Sequence, residues 1–280
     1  KEYSFMNCDT GRTIMLGKAD EFVVEKDGAD KNIYVIKDAQ TGKYIDLSQA
    51  SPLLSEEKIS YLIYKSEYDR YQIVLNGNYA IYDTDEQTGV NAVLAKTERS
   101  ANPGEMNVNT GWYLTLKGDL RPLKVMPLGD SITYGVDDDI DASLPRVGYR
   151  KILSEELMDY FGRVVLVGDK KTETGIYVGS GQSAYETSLK DKMLLRHAGR
   201  PGWTINGSPY SANPGLDGVI DGIKNKYKPD IVCLMIGTND CGVMSGGSYS
   251  DAAMTQKIKD AKKFVKRVEK AVSDNGLIIY

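Results

Sequence analysis

The first 118 residues repeat themselves. Tyr3-Ser4-Phe5-Met6-Asn7-Cys8-Asp9-Thr10-Gly11-Arg12-Thr13-Ile14-Met15-Leu16 aligns with Tyr34–Leu47, and a weaker third copy runs from Tyr71 to Asp83. The leading tyrosines stand 31 and then 37 residues apart (34 − 3 and 71 − 34). Each copy reads strand, turn, strand, with Asp9-Thr10-Gly11, Gln40-Thr41-Gly42 and Asn76-Gly77-Asn78 at the turns. A unit this small cannot bury its apolar face alone, so the copies must pack on one another. Between Tyr3 and Leu116 no long helical periodicity intervenes. Short β-rich runs at regular spacing predict an all-β sandwich or barrel.

The pattern changes after Asp119-Leu120-Arg121-Pro122, a short linker in which Pro interrupts strand pairing. Leu123–Gly129 reads as an apolar strand, Tyr149–Phe161 as a helix with Ile152, Leu153, Leu157 and Phe161 on one face, and Arg163–Val167 as a buried strand. Leu216–Tyr227 reads as a helix weakened by Gly218 and Gly222, and Asp230–Ile236 as a second buried strand. Asp251–Ser273 is a helix with Asp251 as its cap and a stripe of Ile258, Ala261, Phe264, Val265, Val268 and Val272. Leu277–Tyr280 starts another strand. Uninterrupted apolar strands alternating with helices predict a parallel α/β sheet. The expected organisation is therefore two domains, residues 1–118 all-β and residues 122–280 α/β.

Composition narrows the function. A net charge of −4 and a pI near 5.3 argue against nucleic acid as a partner, and no apolar run is long enough to span a membrane. Three cysteines, Cys8, Cys233 and Cys241, are too few for a disulfide framework. Cys233 reads as a core residue and Cys241 as a neighbour of the pocket. There is one histidine, His197. Asp137-Asp138-Asp139 reads as a solvated loop, and no ligands at useful spacing suggest a metal; no cofactor is expected.

In open α/β sheets ligands bind beyond the carboxyl ends of the strands. Three strands here end in Gly129-Asp130-Ser131, in Gly168, and in Gly237-Thr238-Asn239-Asp240. Together they offer a hydroxyl, a backbone N–H open to close approach, and a side-chain amide. A nucleophilic serine needs a base to take its proton and donors to hold the oxyanion that follows. The N–H groups of Ser131 and Gly168 and the Asn239 amide are donors of the right kind.

These blocks, in this order, resemble the SGNH (GDSL-type) hydrolases, whose fold is flavodoxin-like. The similarity is tightest to the acetylxylan-esterase-like carbohydrate esterases, on Met126-Pro127-Leu128-Gly129-Asp130-Ser131-Ile132-Thr133 and on His197-Ala198-Gly199-Arg200-Pro201-Gly202-Trp203-Thr204-Ile205. The resemblance covers residues 122–280. It implies Ser131 as nucleophile, Ser131 N–H, Gly168 and Asn239 as oxyanion hole, and His197 and Trp203 as residues of the substrate pocket. The three copies in residues 1–118, closed by Gly111-Trp112-Tyr113-Leu114, resemble the ricin-type β-trefoil, a lectin-like fold. That family places a sugar-gripping Asp after the second strand of each repeat, a place that Asp46 and Asp83 take by alignment.

One block departs from the family. The Asp-x-x-His that supplies the base near the domain's C-terminus is absent, and His197 lies in a different stretch. The expectation is that a C-terminal portion is missing and that an extension, or a separate chain, supplies it. The resemblance implies a secreted or cell-surface enzyme that removes acetyl or other acyl groups from plant cell-wall polysaccharide such as xylan, or another acetylated glycan. The alternatives are a non-catalytic glycan-binding protein with a degenerate esterase module, and a lipid or short-chain esterase of the same superfamily.

Overall fold

The computed structural model describes residues 1–29, 32–65, 69–84, 91–98, 110–135, 148–170, 196–207, 212–242, 250–270, 272 and 277–279. The chain divides into two compact units, Lys1–Pro122 and a second that begins at Leu123.

The first unit is all β. Its strands are β1 (Glu2–Asn7), β2 (Phe22–Lys26), β3 (Ile33–Asp38), β4 (Tyr44–Asp46), β5 (Leu53–Ser55), β6 (Ser60–Lys65), β7 (Tyr71–Leu75), β8 (Tyr79–Asp83), β9 (Leu94–Glu98) and β10 (Gly111–Leu116). Six of them close a ring of antiparallel pairs, β1–β2–β3–β6–β7–β10 and back to β1. Each repeat gives its first and last strands to this barrel. The middle strands pair outside the ring as β4–β5 and β8–β9, and the first repeat keeps only single bridges there. Threefold symmetry shows in the register. Tyr3 stands opposite Phe22, Tyr34 opposite Tyr61, and Tyr71 opposite Trp112. Phe5, Ile36 and Ile73, each two residues beyond its tyrosine, meet in the core. A closed barrel leaves these six strands no free edge, which is how three individually unstable copies hold one another.

The same hydrogen bonds correct the alignment of the third copy. The Tyr61 hydroxyl donates to the Ile45 carbonyl (2.9 Å), and Trp112 Nε1 donates to the Ile81 carbonyl (2.9 Å). Ile81 is therefore the counterpart of Ile45, and Asp83 that of Leu47 rather than Asp46. The cause is a turn one residue shorter. Asn7 N–H reaches the Arg12 carbonyl and Asp38 N–H the Lys43 carbonyl, whereas Leu75 pairs with Tyr79 across Asn76 and Gly77, both at positive φ.

In the second unit β11 (Leu123–Gly129) is central. It is followed by α1 (Ser131–Tyr134), α2 (Arg150–Phe161), β12 (Val164–Leu166), β13 (Ala198–Gly199), α3 (Gly215–Tyr227), β14 (Ile231–Met235), α4 (Thr238–Gly242), α5 (Asp251–Glu269) and β15 (Leu277–Ile279). The order β12–β11–β14–β15 is parallel throughout, and β13 joins the end of β11 at Leu128 and Gly129. Val125, Met126, Leu128, Val164–Val167 and Val232 are buried, as strands covered on both faces require. Helix α3 buries Leu216, Ile220, Ile223 and Tyr227. Helix α5 buries Phe264 and Val268, and its Arg267 pairs with Asp217 and Asp221 of α3.

Three local expectations are corrected. Ser250, not Asp251, caps α5, its hydroxyl accepting from Ala253 N–H (3.2 Å), and Ile258 is exposed. Helix α2 buries Arg150 and Ser154 while Ile152 and Phe161 face solvent. The Arg150 guanidinium donates to the Tyr134 carbonyl (3.0 Å), so that face of α2 serves the end of α1 rather than an apolar core.

Candidate active site

The site is built at the carboxyl ends of three adjacent strands, β12, β11 and β14. At the end of β11, a side chain on Gly129 would collide with the Met235 carbonyl and the Thr133 hydroxyl. Only glycine lets the ends of β11 and β14 approach this closely, and Asp130 N–H then donates to the Met235 carbonyl (3.3 Å). Asp130 is fully buried and caps α1, Oδ1 accepting from Ile132 N–H (3.0 Å). Burial raises its pKa above the usual carboxylate value, opposed chiefly by the hydrogen bond from Ile132 N–H. Ser131 opens α1 and is partly exposed. Asp130 thus fixes the backbone of the turn and leaves Ser131 at the surface of the site.

Beyond β12, Gly168 lies against the backbone of His197, where any Cβ would overlap the His197 carbonyl. Lys170 and His197 exchange both backbone hydrogen bonds (2.9 and 3.0 Å), which locks this crossing. Gly199 repeats the device, since a side chain there would strike the backbone of Thr133 and Tyr134 in α1. His197 itself is fully buried, its ring edge-on to Tyr134 with centroids 5.4 Å apart. Its Nδ1 accepts from Gly199 N–H (3.1 Å), so the ring carries its proton on Nε2. The expected role of His197 in binding substrate is corrected: burial keeps it from a ligand, and it shapes the backbone on which Gly168 and Gly199 rest.

Beyond β14, Asn239 is partly exposed and donates from Nδ2 to the Trp203 carbonyl (2.8 Å). That bond uses one N–H of the amide and aims the other. Asp240 is buried, accepts from Ile205 N–H (3.1 Å) and pairs with Lys257. Asn239 and Asp240 together hold the Trp203–Ile205 backbone. Trp203 is partly exposed, and the Arg200 guanidinium lies over its ring at 5.0 Å. Arg200 also pairs with Asp169 (2.5 Å), and its backbone N–H donates to the Gly129 carbonyl (3.0 Å). Neither Arg200 nor Asp240 stands out as functional in the sequence, because Asp169 and Gly129, which Arg200 holds, and Ile205 and Lys257, which Asp240 holds, are distant in the chain. Asp137–Asp139 lie outside the described residues. Cys8 and Cys233 are buried and Cys241 is exposed, none of them in a disulfide. Burial pushes the Cys233 thiol up to about 11, which leaves it unreactive.

In the first unit, Asp46 is partly exposed and Oδ1 accepts from Ser48 N–H (2.8 Å). Asp83 is different. Its carboxylate is buried and receives the Thr10 hydroxyl (2.5 Å), Val93 N–H (3.0 Å), and Nε (2.7 Å) and Nη2 of Arg12. The expectation that Asp83 grips sugar is corrected, because these donors saturate a carboxylate that solvent does not reach.

A family model described as GDSL-like lipase/acylhydrolase matches residues 125–279, which is 155 of the 280 residues. The chain belongs to this family of acyl-ester hydrolases. It is 38 % identical over 124 residues to a protein described as a multidomain esterase of Ruminococcus flavefaciens, covering 42 % of this chain and 14 % of that protein. Among solved structures, a family 3 carbohydrate esterase of Clostridium thermocellum is 26 % identical, with a TM-score of 0.35, covering 56 % of this chain and 61 % of that one. A ricin B-like lectin of Macrolepiota procera in complex with lactose is 11 % identical, with a TM-score of 0.32, covering 41 % of this chain and 94 % of the lectin. The chain thus spans a small part of the multidomain esterase and less than two thirds of the solved esterase.

Proposed function

We propose that this family member is a carbohydrate esterase that removes acetyl groups from a polysaccharide such as xylan, with Ser131 as nucleophile. The observation that carries the reading is the placement of Ser131, Gly168 and Asn239 at the ends of three adjacent parallel strands. Ser131 Oγ attacks the acetyl carbonyl carbon and its proton passes to a base. The tetrahedral oxyanion is held by the N–H groups of Ser131 and Gly168 and by the second N–H of Asn239 Nδ2. Collapse breaks the bond to the sugar oxygen, which takes the proton from the base and leaves as the sugar hydroxyl. Water then hydrolyses the acyl-enzyme by the same route.

The base is not His197, which is buried with Nδ1 engaged. As the chain has no second histidine, an imidazole from an adjoining segment or a separate chain takes the Ser131 proton. The three-copy barrel holds the glycan near the esterase, raising its effective concentration, and Asp46 and Trp203 are the sugar-facing residues. Such substrates belong to a secreted or cell-surface protein. Ser131→Ala in the protein at its full natural length should abolish p-nitrophenyl acetate hydrolysis while melting as the wild type does. Retention of more than about a tenth of the rate would refute the mechanism, because removing a triad serine normally leaves only the residual rate of the oxyanion hole.

A further inference from the structure

We propose that Arg200 is the positioning residue of the oxyanion hole, joining the segments that carry its three donors into one rigid unit. The inference rests on the reading of Ser131, Gly168 and Asn239 above. The Arg200 side chain touches one of these segments directly and a second through Trp203, three residues on in its own turn. Its Nη2 pairs with Asp169 (2.5 Å), the neighbour of Gly168, and its guanidinium carbon lies over the Trp203 ring at 5.0 Å from the centroid. The Trp203 carbonyl in turn accepts from Asn239 Nδ2 (2.8 Å). Its backbone N–H reaches the third segment at the Gly129 carbonyl (3.0 Å), two residues before Ser131.

Stability alone does not account for this arrangement. The Arg200 side chain is only 8 % exposed and that of Asp169 23 %, and among the described residues Arg200 Nη1 and Asp169 Oδ1, both buried, have no hydrogen-bond partner. A largely buried ion pair with unmet hydrogen bonds gains little over apolar residues of the same volume. What the pair does supply is a fixed geometry, since a planar guanidinium holds a carboxylate and an aromatic face at set angles in a way an ammonium does not.

Oxyanion donors act only on the transition state, so loosening them lowers turnover and spares substrate affinity. In the full-length protein, Arg200→Met should lower kcat for p-nitrophenyl acetate by about 10–10²-fold, the scale of a small misplacement of reacting groups, with little change in KM. Arg200→Lys keeps the charge and loses the planar guanidinium, and should show the same split in weaker form. Asn239→Ala alone should cost about 10²–10³ in kcat, the scale of one lost oxyanion donor. Adding Arg200→Met to Asn239→Ala should then cost much less than Arg200→Met costs the wild type, because part of its effect runs through Asn239. An unchanged kcat, an effect confined to KM, or full multiplication of the two losses would overturn the role of Arg200. If Ser131→Ala remains active, the hydrolase reading itself fails, whatever the Arg200 variants do. Should Arg200→Met fail to fold, Arg200→Lys decides by the same kcat-against-KM split.

Discussion

Asp83 offers a sharp test of the first unit, because two readings of it predict opposite results. By alignment it is a sugar ligand; by position it is an acid buried where the second repeat has Leu47. Four donors from Thr10, Arg12 and Val93 converge on its carboxylate, tying the end of β8 to the first repeat's turn. Asp83→Ala removes the anion against which the Arg12 guanidinium is buried. Breaking a buried pair from one side costs about 3–5 kcal/mol. For a unit of 122 residues the unfolding entropy near 60 °C is roughly 0.26 kcal/mol/K, so each kcal/mol lowers Tm by roughly 4 °C. The expected fall is therefore about 12–20 °C.

The chain carries its own probe. It has two tryptophans, Trp112 in the first unit and Trp203 in the second. In a Trp203→Phe background the fluorescence reports Trp112 alone, which is fully buried with Nε1 bonded to the Ile81 carbonyl. Thermal melts followed by this signal should show the first unit losing stability in Asp83→Ala while the fold of the second persists by circular dichroism. A fall of less than about 4 °C, below one kcal/mol by the same conversion, would refute the buried-pair argument. If glycan binding were lost without that fall, the sugar-ligand reading of Asp83 would be restored.

Two further outcomes can be checked. Asp130→Asn keeps the oxygen that caps α1 and removes a charge that burial disfavours; because the folded-state pKa of Asp130 is raised, wild-type stability relative to this variant should be highest below about pH 3.8, fall as pH rises through the raised pKa, and stay constant above it, and the opposite slope in parallel melts would refute the assignment. The whole chain should be retarded in an affinity gel containing soluble xylan, and Asp46→Asn should weaken the retardation without lowering Tm; no retardation of the wild type by a panel of plant glycans would reduce the barrel to a spacer.

The parts of this fold that could be read in the sequence are those where local pattern and burial agree. Strands β11, β12 and β14 are continuous apolar runs because both faces are covered, and the blocks at their ends were visible as punctuation. Repeats were visible through Tyr3, Tyr34 and Tyr71, but the register of the third was not. One residue fewer at Asn76-Gly77 moves every later position by one, and in a strand that exchanges buried for exposed faces. Aligning Asp83 with Asp46 satisfied residue identity and violated burial. The α2 stripe failed for a different reason: Arg150 is buried to hold the Tyr134 carbonyl, a demand made by α1 and invisible within α2. Arg200 was equally hidden, because Asp169 and Gly129, which it joins to its own turn, come from two other segments.

On the proposed mechanism the site divides into two chemical halves. The electrostatic half is built from backbone crossings that only glycine permits: Gly129 against Met235, Gly168 against His197, Gly199 against Thr133 and Tyr134. Because each crossing is steric, the donors at Ser131 and Gly168 are held by packing rather than by loop conformation, and Asn239 is fixed through Trp203. Preorganised donors of this kind contribute whether or not a base is present, and in serine hydrolases stripped of their triads about 10³–10⁴-fold catalysis over water persists. Among the described residues the proton-transfer half has no histidine to serve it, since His197 is committed to the crossing beside Gly168. The two halves are therefore separable. A histidine delivered to Ser131 from another segment or chain should find the oxyanion donors already in place, and its arrival should raise turnover without rearranging Gly168 or Asn239.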